Sequence, residues 1–237
     1  MAEKKKQSGQ KTYEYIFDHF AKDILTEKLK MNDKLPTERE IAESLEVSRN
    51  SVREVMHMLE MQGMIECIQG SGNYVCCEPV DFMTKLVTMY MTLMGAGNMD
   101  IYYIRAGYEH AAVRMAAERA TAAELREMRA ILEKMDQPMS SSESAKYDQL
   151  FHLKLMEASH NPILISFYRM ILNLISLFIE NFRVKILANK TRAEALRRAH
   201  WDIYHALENK DVKAGVKALD QHFEIVFAQV EKMASEE

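Results

Sequence analysis

A chain of 237 residues, 48% hydrophobic and 28% charged, is long enough to bury its own core, which argues against a disordered or disulfide-dependent protein. Its formal net charge of −4 excludes nucleic-acid binding through bulk positive charge, and no apolar run reaches the ~18 residues of a membrane span. Eight glycines and four prolines are few punctuators, so the chain is expected to be mostly α, in long helices. The start, MAEKKKQSGQK, has no apolar run behind its lysines and reads as a flexible tail rather than a signal peptide, so a cytoplasmic protein is expected. Cys67, Cys76 and Cys77 are an odd number in one short region, without zinc-finger spacing, and read as reduced packing residues.

From residue 12 to 30, Ile16, Phe20, Ile24, Leu25 and Leu29 recur at helical spacing and predict a first amphipathic helix. MNDKLP follows as a turn, and TERE supplies a capping box in which Thr37 and Glu40 exchange side-chain and backbone bonds. A second helix is expected over 38 to 45, and after a break at Leu45 and Glu46, Ser48 caps a third. The third helix carries Val52, Val55, Met56 and Leu59 on one face and ends near Gly63. MIECIQGSGNYVCC then gives two short strand-like runs around Gly70, Ser71 and Gly72, a hairpin. Three helices and a hairpin predict a winged helix-turn-helix over residues 1–78.

Within VSRNSVRE, Arg49 and Arg53 sit four residues apart at a helix start, where like charges repel and cations oppose the helix dipole, each costing about 0.2 to 1 kcal/mol. The second helix of a helix-turn-helix enters the major groove with its N-terminal residues on base edges, and an arginine fork bonds guanine O6 and N7 together. A solvated surface helix is the alternative. Residues 1–75 hold 11 Lys and Arg against 13 Asp and Glu, so DNA affinity must come from local placement.

The segment from Lys34 to Val75 closely resembles the winged helix-turn-helix of the GntR family of bacterial transcription regulators, across its turn, both motif helices and the glycine-containing wing. The resemblance implies DNA contacts from Arg39, Arg49, Arg53 and Gly70, with Ser48 and Asn50 on phosphates or bases. Glu46 departs from the glycine that the family often has in the turn.

Pro79 marks the linker, residues 79–99 read as linker and first helix, and 100–237 as an all-helical effector and dimerisation domain. About six or seven helices are expected between 81 and 233. Capping boxes are read at Thr121 with Glu124 and at Thr191 with Glu194, a helix start at Asn161 and Pro162, and a loop at the serines 140 to 142. Asp148 and His152, at i and i+4, leave one helix face and suit either two ligands of one ion or an exposed ion pair. His200 and His222 fall on two consecutive helices that turn near Asn209, Lys210 and Asp211.

Residues 100 to 229 resemble the helical FCD effector domain of the FadR subgroup, in IRAGYEHAAVRMAAERA, DQLFHLKLMEASHNP and AHWDIYHALENKDVKAGVKALDQHF. That resemblance implies a site of one aspartate and three histidines, matched here by Asp148, His152, His200 and His222. Three imidazoles and a carboxylate suit a divalent metal ion, Zn²⁺ or Ni²⁺ foremost and Mn²⁺ third. His19, His57, His110 and His205 match no ligand position, and His160 stands at a helix junction, ambiguous between cavity and surface. Arg105 lies in the family's arginine position, where it would bind a carboxylate or else pair with Glu109. Asn173, in an apolar helix, is expected to face the cavity as a polar anchor.

The implied function is a ligand-responsive regulator, a repressor that binds a palindromic operator of double-stranded DNA as a homodimer and is released by a small carboxylate, an organic or sugar acid. Two alternatives stand beside it. The metal is purely structural, or the chain is a metal-dependent enzyme with a DNA-binding appendage, for which no general base is recognisable.

Overall fold

The structure, a computed structural model, describes residues 11–235, so the basic tail expected at the N-terminus lies, Lys11 apart, outside the described residues. It divides into two compact units, Met1–Met83 and Thr84–Glu237.

In the first unit, α1 (Thr12–Leu25), α2 (Glu38–Leu45) and α3 (Arg49–Met61) precede a hairpin of β1 (Ile65–Ile68) and β2 (Gly72–Val75). The α1 helix ends earlier than its apolar spacing predicts: Glu27 turns to a φ of 56° and Leu25 is left exposed, while Ile16 and Phe20 of the stripe are buried and Leu29, beyond the helix, packs part-buried against the same core. The capping box at Thr37 and Glu40 starts α2, and the Ser48 hydroxyl accepts from Ser51 N at 3.1 Å to start α3. Val52, Val55, Met56 and Leu59 are all buried, packing with Ile41, Ile65 and Val75. The strands run antiparallel, Ile65 opposite Val75 and Ile68 opposite Gly72. The stretch expected as a simple turn also serves the hairpin: Leu35 N donates to Asn73 O at 2.8 Å and Val75 N to Asp33 O at 2.9 Å, tying the segment before α2 to the wing.

Between α2 and α3, Glu46 sits in the left-handed region at φ 54°, ψ 44°. A side chain pays about 1–2 kcal/mol for that backbone and glycine does not, although glycine loses more chain entropy on folding. Glu46→Gly is therefore expected to raise unfolding free energy by about 0.5 to 1 kcal/mol, visible as a higher urea midpoint with unchanged slope. A lower midpoint would show that the Glu46 side chain contributes more than its backbone costs.

Helix α4 (Val80–Leu93) contains the division between the units, and α5 (Asn98–Arg119), α6 (Ala122–Met135), α7 (Ser141–Glu157), α8 (Pro162–Met170), α9 (Leu172–Leu187), α10 (Lys190–Glu208) and α11 (Val212–Ala234) follow. That makes eight helices from α4 onward among the described residues, more than expected. The apolar run from Pro162 to Leu187 breaks at Ile171, where α8 and α9 meet at a 63° bend. Among the described residues, no single helix is long and apolar enough to cross a membrane.

The serines at 140 to 142 are not a loop: Ser140 caps α7 in a box with Glu143, its hydroxyl accepting from Glu143 N at 3.2 Å. Thr191 is no cap either, because Asn189 takes that place and accepts from Arg192 N at 3.0 Å, freeing Glu194 to pair with Arg197. The expected caps at Thr121 and Asn161 are present. The second unit's core gathers Val113 and Ala116 of α5, Phe151 and Leu155 of α7, Phe178 and Phe182 of α9, Ile203 of α10 and Phe223 of α11.

Candidate functional site

In the first unit, Ser48, Arg49 and Asn50 form the exposed start of α3. Arg49 makes no ion pair among the described residues, whereas Arg53 lies against Glu38 at the start of α2, Nη2 to Oε2 at 3.2 Å. Sequence spacing did not reveal that pair, because the partners are 15 residues apart. Arg39 is exposed with Glu43 at 3.5 Å. Gly70, at φ 77°, forms the wing turn with no atom within 4 Å of where a Cβ would stand. The surface thus carries three exposed arginines, two of them leaning on carboxylates.

In the second unit, α7 contributes Asp148 and His152, α10 His200 and α11 His222, all buried, and one ligand atom from each lies within 4.8 Å of the others. The exposed ion pair weighed for Asp148 and His152 is thereby excluded. His200 Nε2 is 3.2 Å from Asp148 Oδ1 and 3.3 Å from His152 Nε2. The buried Nδ1 of His222 has no hydrogen-bond partner.

Around the four lies a shell of charge. Arg105 on α5 donates from Nε to Glu109 Oε1 at 2.8 Å, and its Nη2 lies 3.8 Å from Asp148 Oδ2 with no hydrogen bond. Of the two readings of Arg105, the structure shows the pair with Glu109, and the side chain also faces the cluster. Glu109 also accepts from Tyr168 Oη at 3.1 Å and meets His152 Nδ1 at 2.6 Å. That second contact orients the ring so that Nε2 faces the cluster. Arg183 on α9 holds Asp148 through Nη1 and Ser144 Oγ through Nε at 2.8 Å. Glu109, Tyr168, Ser144 and Arg183 escaped sequence reasoning as site residues. Only the i to i+4 spacing of Glu109 from Arg105 hinted at one of them.

Burial opposes the charge of Glu109, yet His152 and Arg105 bring its carboxyl down to about 2. Burial likewise opposes Asp148, and Arg183, His200 and His152 hold it well below the usual carboxylate range. Burial takes His200 down to about 4 against the pull of Asp148, and burial with its charged neighbours takes His222 far below its ordinary value. Two arginines and two carboxylates thus balance around imidazoles, of which His200 and His222 are neutral and keep lone pairs to donate.

The remaining histidines lie apart. His160, at φ 50°, meets Glu124 at 2.9 Å on the surface, and His110 meets Asp220 at 2.7 Å. His19, His57 and His205 pair with carboxylates of their own helices. Asn173 does not face the cavity. It is the exposed second residue of α9, about 200° around the helix from Ile175 and opposite the buried Phe178 and Phe182.

Two spaces adjoin the cluster. An inner cavity of about 20 Å³ lies among Arg105, Asp148, Arg183 and His222. An outer cleft of about 490 Å³ runs from Ser144, Arg183 and His200 past the α6–α7 corner to Trp201.

This donor set fits a divalent cation: four converging atoms, a buried nitrogen without a hydrogen bond, and two imidazoles, His200 and His222, held unprotonated by burial. Asp148, His152, His200 and His222 would hold it, and a bound cation would supply a Lewis-acidic point of attachment for an anionic oxygen.

A family model for the FCD domain matches residues 100–225, and one described as bacterial regulatory proteins, gntR family, matches residues 12–75. The chain is 30% identical to the Uxu operon transcriptional regulator of Escherichia coli (strain K12), over 92% of this chain and 86% of that one. It is 29% identical to the HTH-type transcriptional regulator LutR of Bacillus subtilis (strain 168), over 76% and 83%. With the Glc operon transcriptional activator of Escherichia coli (strain K12) it shares 30% identity over 64% and 62%. A solved structure described as Streptococcus agalactiae GntR shares the fold with a TM-score of 0.62 at 23% identity, covering 90% of this chain and 98% of that one.

Proposed function

We propose a repressor that leaves its operator when a small carboxylate binds beside a divalent metal, and the premise is membership: the chain belongs to the GntR family of bacterial regulatory proteins and carries the FCD domain, so it is a DNA-binding transcription regulator and not an enzyme. Two copies pair in the cytoplasm through the helical unit and present two α3 helices to a palindrome, so that half-site spacing mirrors the two-fold axis. Arg49 and Asn50 read bases, while Arg39, Ser48, Arg53 and the Gly70 wing turn fix the pose on the backbone.

The observation that carries the ligand reading is the buried Asp148, His152, His200 and His222 cluster with Arg105 Nη2 beside it, free of any hydrogen bond. Three imidazoles and one carboxylate favour Zn²⁺ or Ni²⁺ over Mn²⁺, and Arg105 Nη2, buried and 3.8 Å from Asp148 Oδ2 without a hydrogen bond, is the donor left for an acid that also reaches the ion. An effector acts only through its different affinity for the two DNA-reading poses. A relative is named an activator. Release is favoured here because any pose change that alters half-site spacing weakens both halves at once.

The test titrates organic and sugar acids into a complex of the full chain with its own upstream DNA at physiological salt, with and without chelator. Metal-dependent release by at least one acid is expected. A second reading has its own support in the inner cavity, which at about 20 Å³ holds a water and no acid: the metal then only staples the helices. It requires that chelation lower the melting temperature while no acid changes operator affinity.

A further inference from the structure

The hairpin that forms the wing has no positive side chain of its own. From Gln62 to Pro79 the chain contains no lysine or arginine, and its charges are Glu66 and Glu78. DNA phosphates repel such a surface, although the Gly70 turn at its end is exposed.

A cation does reach the hairpin, from the segment before α2. Lys34 forms an antiparallel bridge with Tyr74, and the buried Leu35 beside it fixes that backbone to the core. The Lys34 side chain lies across β2, its Nζ 5.9 Å from the centre of the Tyr74 ring. Its Cε stands 3.2 Å, and its Nζ 3.9 Å, from where a Cβ on Gly72 would be. A side chain at position 72 would press on the lysine stem, so the glycine leaves the space that Lys34 fills. Tyr74 is tied to the turn as well, its Oη 2.6 Å from Ser71 Oγ. The ammonium thus sits two residues from Gly70, exposed and without an ion pair among the described residues.

We infer that Lys34 is the wing's phosphate contact, lent to the hairpin by the segment before α2 and held there by Gly72 and Tyr74. This deepens the proposed pose on DNA and rests on the wing turn meeting the backbone. A lysine is a compact point charge with three donors, suited to a phosphate oxygen and not to the paired acceptors of a guanine edge. An unrestrained lysine gives up rotamer freedom when it binds, whereas this stem is already laid along the ribbon. Its work therefore differs from that of Arg49: a phosphate contact holds register and carries no sequence information. Stacking on Tyr74 for the hairpin's own sake is the competing role, and it would register in melting temperature but not in salt dependence.

The test compares Lys34→Gln, Lys34→Arg and Ser71→Glu with the parent full chain, on its own upstream DNA and on a random duplex, from about 50 to 200 mM salt. Lys34→Gln is expected to weaken both complexes by the same factor. Its plot of log affinity against log salt should be shallower by about 0.9 per lost contact, and by twice that for two copies on a palindrome. Lys34→Arg should keep the parent slope, and Ser71→Glu, which sets a carboxylate on the turn, should weaken binding. A parent slope in Lys34→Gln, or a shallower one in Lys34→Arg, overturns the assignment of Lys34. If Ser71→Glu still weakens binding in that case, the wing contact itself stands. Parent affinity and slope in both Lys34→Gln and Ser71→Glu overturn the wing contact and Lys34 together.

Discussion

Replacing Arg49 with alanine is expected to weaken specific operator binding by at least roughly thirtyfold while leaving the fold unchanged. The side chain is exposed on the first turn of α3 and makes no ion pair among the described residues, so nothing in the unit loses a partner when it goes. One bidentate base contact is worth about 1–3 kcal/mol of discrimination, and a two-fold dimer loses it twice. The unit's own composition offers no background field to mask the loss, since acidic residues outnumber basic ones over residues 1–75. Arg53 is a different case despite the same residue type and the same helix. Its guanidinium already lies on Glu38, so a DNA contact replaces an existing pair instead of adding one, and Arg53→Ala should cost less than Arg49→Ala. Gel shifts of both variants on operator and random DNA check this ordering. A normal footprint from Arg49→Ala would return VSRNSVRE to the status of a surface helix.

The other large effect concerns the buried cluster, where two variants of neighbouring ligands should behave very differently. Asp148→Ala removes the carboxylate on which Arg183 rests and which Arg105 faces, leaving buried positive charge uncompensated at a cost of about 3–5 kcal/mol with or without metal. His222→Ala removes a neutral ring whose Nδ1 has no partner, so the metal-free protein loses packing alone. The informative quantity is the rise in melting temperature on adding Zn²⁺. A ligand at a hundred times its Kd stabilises by about 2.7 kcal/mol, and His222→Ala should abolish that increment while its metal-free melting temperature falls modestly. An undiminished rise in His222→Ala would remove His222 from the metal site.

What was legible in the sequence was the part governed by residues a few positions apart. The Thr37–Glu40 box, the Ser48 cap and the Val52, Val55, Met56, Leu59 face are local, and the structure builds the first unit around them. Local reading also failed locally. Thr191 looked like a cap because Glu194 follows at the right distance, but Asn189 caps more strongly and lies two residues earlier. Asn173 was misplaced because its polarity inside an apolar run suggested an inward anchor, when the helical phase set by Ile175, Phe178 and Phe182 turns it outward. Beyond the four candidate ligands, the shell was invisible for another reason. Glu109 and His152 are 43 residues apart, Tyr168 and Glu109 59, and Arg183 and Asp148 35, and only helix packing brings them together.

Arg105, Arg183, Asp148 and Glu109 contribute two charges of each sign around the imidazoles. A divalent ion would place two positive charges there, where water cannot screen them, and an acid arriving beside it would offset one. Each would therefore tighten the other, and by the same factor, because coupling between two ligands is reciprocal. On the proposed reading, such a protein is a coincidence detector: its switch follows the product of two concentrations, and a cell starved of the ion would be deaf to the acid however much of it accumulated.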